Sequence, residues 1–246
     1  MSVPFQTAVV TGAGRGFGRA IATALVAAGT DVVGIARNEQ DLNAVRDEVG
    51  TAFRPLAADA TDEALARDTI REHRPGLLVL NAGATPHMAP VHEHTWETFS
   101  RHWQTDTRHA FTWIQAALKE PLAPGSAVVA ISSGAALGGS LLSGGYAGAK
   151  AAIRFLRNYA ADESDRAGLD VRFVTLLPQL APATGVGSTA IAAYAKLQGV
   201  SQDTFIEGLQ PAVTPALVAK AVMEITANPT SAPEYLVTGA GLRPNE

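Results

Sequence analysis

Short apolar runs alternate with amphipathic stretches along most of the chain. Residues 7–11, 31–36, 52–57, 76–80, 127–131, 169–177 and 234–238 are rich in Val, Leu, Ile and Ala and carry little polar alternation. Runs of this length, apolar on both sides, mark strands buried within a parallel sheet. Between them lie segments of helical period at 19–28, 39–49, 61–73, 95–119, from about 144 to 166, and 214–227. Strand and helix in strict alternation predict an α/β Rossmann fold. The expected form is a doubly wound, seven-stranded parallel sheet with helices on both faces, in one domain spanning 1–246. Residues 178–212 break the alternation. Two short helical patterns there, 188–198 and 201–210, carry Ile191, Tyr194, Leu197, Phe205 and Leu209 and read as a substrate lid beyond the sixth strand.

Composition narrows the function. The 246 residues carry a formal charge of -4 and no basic run, which disfavours nucleic acid and anionic membrane surfaces as partners. There is no cysteine, so thiol chemistry and cysteine metal sites are excluded. No apolar stretch approaches a membrane span and the first residues lack a signal-peptide pattern, so a soluble, cytoplasmic protein is expected. His87, His92 and His94 lie in a proline-containing loop without ligand spacing, and no metal is expected.

The chemistry-bearing residues fall at the carboxyl ends of the predicted strands, where open parallel sheets hold their ligands. The first strand ends in Gly12-Ala-Gly-Arg15-Gly16-Phe17-Gly18. Glycines there let a backbone approach a pyrophosphate, and the helix that follows offers unpaired N–H groups. The spacing is Gly-x-x-x-Gly-x-Gly, and Phe17 occupies the third-glycine position of the commoner fingerprint. The second strand ends in Ala36-Arg37, with no carboxylate to accept from the ribose of NAD, whereas Arg15 and Arg37 suit a 2′-phosphate. Glu39 and Asp41 fall in the next helix, too far along to serve that ribose. Asp59, followed by Ala60, stands at the third strand end, either against an adenine amino group or as a helix cap. Asn81-Ala82-Gly83 follows the fourth strand on the cofactor side, and Ser132 and Ser133 follow the fifth. Tyr146 and Lys150, four apart, share a helix face. An unassisted tyrosine has a pKa of about 10, and an adjacent ammonium favours its phenolate. Ser133 then holds a carbonyl or alcohol oxygen while Tyr146 passes a proton and carbon exchanges hydride with a cofactor.

In these residues and their order the chain resembles the short-chain dehydrogenase/reductase family over essentially its whole length. The resemblance rests on Thr11-Gly12-x-x-x-Gly16-x-Gly18, Asp59, Asn81-Ala82-Gly83, Ser133 and Tyr146-x-x-x-Lys150. It implies an NAD(P)-dependent oxidoreductase in which Tyr146 is the general acid/base and Ser133 orients the substrate. Lys150 binds the nicotinamide ribose and lowers the tyrosine pKa. It also implies cofactor contacts along Gly12 to Gly18, at Asp59 and Ala60, and at Asn81 to Gly83. A homotetramer or homodimer is implied, held by the helices at about 98–119 and 144–165. Arg15 and Arg37 look like the NADP-preferring branch. Two departures stand out. Asp106 lies where the family has an asparagine, so the catalytic candidates are Ser133, Tyr146, Lys150 and Asp106, with a carboxylate opposing the field of Lys150 at Tyr146. Pro178-Gln179 replaces the usual Pro-Gly, and Thr184 is a carboxamide partner for the nicotinamide.

The expected activity is NADPH-dependent reduction of a ketone to a secondary alcohol, with NAD(H) disfavoured. The alternatives are an NAD-dependent alcohol dehydrogenase of the same fold, or an NADP-binding sensor or scaffold with weak catalysis. Leu137, Leu141, Leu142 and the lid residues favour a bulky, largely uncharged carbonyl or alcohol, with His87 and Gln179 adding polar contacts.

Overall fold

The computed structural model describes residues 5–120, 122–228 and 232–245. The apolar runs become β1 (Thr7–Thr11), β2 (Asp31–Ala36), β3 (Phe53–Ala57), β4 (Leu77–Leu80), β5 (Ala127–Ile131), β6 (Arg172–Pro178) and β7 (Glu234–Thr238), followed by β8 (Gly241–Pro244). They form one sheet in the order β3-β2-β1-β4-β5-β6-β7-β8, parallel from β3 to β7. The expectation of seven strands is corrected to eight. β8 pairs antiparallel with β7, from Tyr235↔Pro244 to Thr238↔Gly241. Its sequence Gly-Leu-Arg-Pro has no strand pattern, and only pairing with the edge of β7 makes it one.

The helices are α1 (Gly16–Ala27), α2 (Glu39–Val49), α3 (Glu63–His73), α4 (Trp96–His102), α5 (Arg108–Lys119), α6 (Gly145–Ala167), α7 (Gly185–Gln198), α8 (Gln202–Glu207) and α9 (Pro215–Ala227). Two cores form, one on each face of the sheet. Ile21, Leu25, Leu42, Val45, Val218 and Val222 of α1, α2 and α9 pack on one face. Ala66, Ile70, Trp113, Ile114, Ile153 and Ala160 of α3, α5 and α6 pack on the other. Trp113 is fully buried and donates its indole N–H to the carbonyl of Ala60 at 2.8 Å, whereas Trp96 and Trp103 are exposed. No helix among the described residues is long and apolar enough to cross a membrane.

The single helix expected over 95–119 is α4 and α5 joined by a π-helical segment, Trp103–Thr107. One wide turn rotates the residues after it, a common device at functional sites. Here it turns the carboxylate of Asp106 into the interior.

Helix caps separate structural from vacant helix starts. Asn38, Asp62, Thr95, Thr184, Ser201 and Thr214 cap α2, α3, α4, α7, α8 and α9 with their side chains. Asp62, rather than Asp59, therefore begins α3. Only α1 and α6, among the described α-helices that start from a loop, begin without a side-chain cap. The start of α1 lines the candidate site, and α6 brings Tyr146 to it in its first turn.

An ion pair with a buried carboxylate anchors α6 to β7. Arg154 of α6 meets Glu234 of β7 through Nε–Oε2 at 2.6 Å and Nη2–Oε1 at 2.7 Å, and Asn245 after β8 donates to the same carboxylate at 2.6 Å. Glu234 is 5% exposed, so truncating its partner strands a buried charge. Arg154→Ala is expected to cost about 2–3 kcal/mol. The urea midpoint measures this, with Arg154→Lys intermediate.

Candidate active site

The carboxyl ends of β1, β4, β5 and β6 open into a cavity of about 690 Å³. Gly12, Arg15, Gly16 and Phe17 wall one end, Asn81 to Thr85 and Asp106 the middle, and Ser132, Ser133, Tyr146 and Lys150 the other side. Gln179, Thr184, Tyr194, Leu209 and Val213 close it from above.

The glycine turn is fixed by its neighbours. A Cβ on Gly18 would stand 2.1 Å from the carbonyl oxygen of Gly12, so α1 can approach β1 only with glycine there. Gly18 is thus a packing residue and does not wall the cavity. Asn81 donates from Nδ2 to the carbonyls of Thr11 at 3.0 Å and Gly12 at 3.3 Å, while Thr11 Oγ1 accepts from the N–H groups of Asn81 and Ala82. The Asn81 amide is therefore occupied in holding the two turns together. The first N–H groups of α1 have no side-chain acceptor, and the turn beneath them leaves no room for a Cβ at Gly12 or Gly14. That combination, opening onto the cavity, fits a dinucleotide pyrophosphate.

At the other side, the two serines after β5 divide their roles. Ser132 is buried and donates to the carbonyl of Lys150 at 2.8 Å, which fixes the first turns of α6. Ser133 lines the cavity, and its Oγ accepts from the N–H of Ala135 at 3.2 Å, so its own hydrogen is left to a ligand. Lys150 is 6% exposed, with Nζ 3.2 Å from the carbonyl oxygen of Ile131, 3.2 Å from Asp106 Oδ2 and 5.8 Å from the centre of the Tyr146 ring. Burial weighs against its charge, but Asp106 and then Tyr146 hold the ammonium above its usual range. Asp106 is 1% exposed. Burial by itself raises its carboxyl, yet Lys150, His102 and the N–H of Ala84 together hold it well below the carboxylate range. A Cβ on Gly83 would stand 2.7 Å from Asp106 Oδ2, so the glycine after Asn81-Ala82 makes room for this carboxylate.

Most of the residues expected from the sequence converge on the cavity. Gly18, Arg37, Asp59 and Ala60 do not wall it. Ala60 is buried against Trp113, and Asp59 closes a turn by accepting from Thr61 N and Oγ1, both at 2.9 Å, bonds that lower its pKa. Arg37 is exposed beyond β2, beside β3. Thr184 walls the cavity, but its hydroxyl caps α7 by accepting from Gly187 N at 3.0 Å. Asp41, placed by its sequence position too far along α2 to matter, has its Cβ against Gly14. Tyr194, Leu209 and Leu137 line the cavity; Ile191, Leu197, Phe205, Leu141, Leu142 and His87 do not.

Two buried histidines escaped the sequence reading. His102 Nδ1 lies 3.2 Å from Asp106 Oδ1, and its ring meets the Tyr146 ring edge-on, centres 5.1 Å apart. The i,i+4 spacing of His102 and Asp106 was the available signal. His109 is buried on α5, and its Nε2 has no partner among the described residues.

The family model described as short chain dehydrogenase matches residues 6–193. The chain belongs to that family. It is accordingly an NAD(P)-dependent oxidoreductase acting on CH–OH and C=O groups. Among its relatives, a sorbitol dehydrogenase of Cereibacter sphaeroides is 30% identical over 71% of this chain and 70% of its own. A D-erythrulose reductase of Gallus gallus is 30% identical over 72% of this chain and 66% of its own. A crystal structure of a metagenomic short-chain oxidoreductase in complex with NADP shares the fold at a TM-score of 0.72. It is 24% identical, covering 94% of this chain and 96% of that one.

His109 makes the site acid-sensitive. Burial, then the charge of Lys150, pushes its pKa down from 6.5 to about 4. Below pH 6.5 the unfolded chain takes up a proton that the folded protein refuses, so stability falls as pH drops from 6.5 to about 4. The loss is on the order of 3 kcal/mol. Urea unfolding at successive pH values is expected to show this slope in the wild type and a flatter profile in His109→Met.

Proposed function

We propose that the protein is an NADPH-dependent carbonyl reductase that converts a ketone reversibly to a secondary alcohol. The observation that carries this reading is the buried Lys150 ammonium beside the Tyr146 ring, at the wall of a cavity that also holds Ser133 and Arg15. When bound, NADPH supplies the hydride to the carbonyl carbon. Ser133 donates its hydroxyl hydrogen to the carbonyl oxygen and fixes the substrate's orientation. Tyr146 donates the proton that this oxygen takes up. Lys150, with two of its hydrogens aimed at Ile131 and Asp106, keeps a third for a ribose hydroxyl and stabilises the phenolate that remains.

Arg15 at the glycine turn and Arg37 past β2 supply cations for a 2′-phosphate, and Ala36 offers no competing carboxylate. Asp59 and Ala60 then border the adenine, Phe17 and Gly16 the pyrophosphate, and Thr184 the nicotinamide. Asp41, close against Gly14, is the observation that favours NAD instead. The substrate is bulky and largely uncharged: Met88, Leu137, Leu180, Tyr194, Leu209 and Val213 face it, with Ser143, Gln179 and Arg243 among the polar contacts. Residues 178–212 form the lid. The protein assembles as a homodimer or homotetramer through α5 and α6, where Phe111, Phe155 and Tyr159 are exposed.

NADPH oxidation against ketones, aldehydes and quinones tests the reading. Turnover is expected to fall about 10²- to 10⁴-fold in Tyr146→Phe. Arg15→Ala and Arg37→Ala are each expected to raise KM for NADPH about tenfold with little effect on NADH. A preference for NADH in the wild type contradicts the cofactor assignment. Light scattering on the eluting protein is expected to give two or four subunits, and Phe155→Glu to give monomer.

A further inference from the structure

Asp106 differs from the other groups around Lys150 because it brings a full negative charge to the point where Tyr146 needs a positive one. The structure shows what holds that charge. Asp106 Oδ1 accepts from Ala84 N at 2.9 Å and Thr105 Oγ1 at 2.8 Å, and His102 Nδ1 lies 3.2 Å away. Oδ2 is left to Lys150 Nζ at 3.2 Å. His102 is 2% exposed, its Nε2 has no partner among the described residues, and its ring stands at 79° to the Tyr146 ring. One side chain therefore touches both the carboxylate and the phenol.

We propose that His102 is a positioning residue for Tyr146 and Lys150, donating from Nδ1 to Asp106 Oδ1 so that Oδ2 faces Lys150 and bracing the Tyr146 ring with its edge. The 3.2 Å contact then carries a proton on His102 Nδ1, with Asp106 Oδ1 as its acceptor. The N–H of His102 draws the carboxylate's charge away from the phenol, which limits how far Asp106 opposes the phenolate. Asp106 on the π-helical segment and Tyr146 on α6 meet His102 directly, Lys150 on α6 reaches it through Asp106, and His109 on α5 feels the charges of Asp106 and Lys150. On α4 itself the other charged residues are Glu97 and Arg101, and His94, just before α4, abuts Gly144 where α6 begins.

This inference rests on the reductase reading for its kinetic arm alone. That arm follows the basic limb of kcat/KM for NADPH-driven reduction. The other titrates the phenolate absorbance of Tyr146 in cofactor-free protein, as the difference from Tyr146→Phe. His102→Leu is expected to raise both midpoints by about half a pH unit or more. His102→Asn retains an N–H donor and is expected to leave them in place. Asp106→Asn is expected to lower both by about one unit or more and to make a further His102→Leu change silent. A role in packing alone predicts the reverse order, with leucine tolerated at this buried position and asparagine harmful. Equal shifts in the Leu and Asn variants, or none, overturn the proposal. So does imidazole ¹⁵N spectroscopy of the wild type that finds the proton on Nε2, a measurement that needs no variant to fold. Absorbance shifts as expected without any turnover would leave the inference standing and remove the reductase reading. Turnover with unmoved midpoints would remove the inference alone.

Discussion

The ion pair between Asp106 and Lys150 is the constraint on which the rest of the site depends. Both groups are almost fully buried, and each is costly to bury without the other. Their pairing fixes three separate pieces of chain. The Ala84 N–H and the open face of Gly83 hold the turn after β4 to the carboxylate. The π-helical turn delivers Asp106 itself, and Lys150 brings the start of α6. Thr107 Oγ1, which donates to the carbonyl of Ala149 at 3.2 Å, and Ser132, on the carbonyl of Lys150, close the same joint from outside. Tyr146 is carried one turn earlier on α6, so its place follows from theirs.

The sheet explains why these pieces meet. Parallel strands with helices on both faces bring every strand end to one edge, and the order reverses between β1 and β4, where a crevice must open. Side-chain caps begin six helices, but α1 starts at the crevice with no side-chain acceptor on its first N–H groups. The N–H groups at the start of α1 are thus free where a charged dinucleotide has to be held. Asn81 shows the cost of this economy, since its amide is consumed in locking the two turns that shape the crevice.

Much of this was legible in the sequence because it is local. Seven strands are continuous apolar runs, the glycine turn is a short motif, and Tyr146 and Lys150 are one helical turn apart. What was not legible depends on contacts between distant segments or on irregular backbone. β8 exists only through its pairing with β7. The π-helical turn does not alter the apolar pattern of 95–119, so the burial of Asp106 and its contact with His102 could not be read from periodicity. Gly18 and Asn81 sit where their motifs place them, yet the structure gives them packing and bracing roles. Ala60 owes its burial to Trp113, far along the chain. The approach of Asp41 to Gly14 is of the same kind, since it follows from how α2 packs against the glycine turn.

The most direct measurement of the central ion pair is the carboxyl ¹³C shift of Asp106, assigned by its loss in Asp106→Asn and followed from about pH 4.5 to 9. An ionised carboxylate held by Lys150 predicts a flat line over that whole range. A titration step within it would show that Asp106 carries a proton near neutrality, and that the charge balance assigned to Lys150, His102 and Tyr146 is wrong.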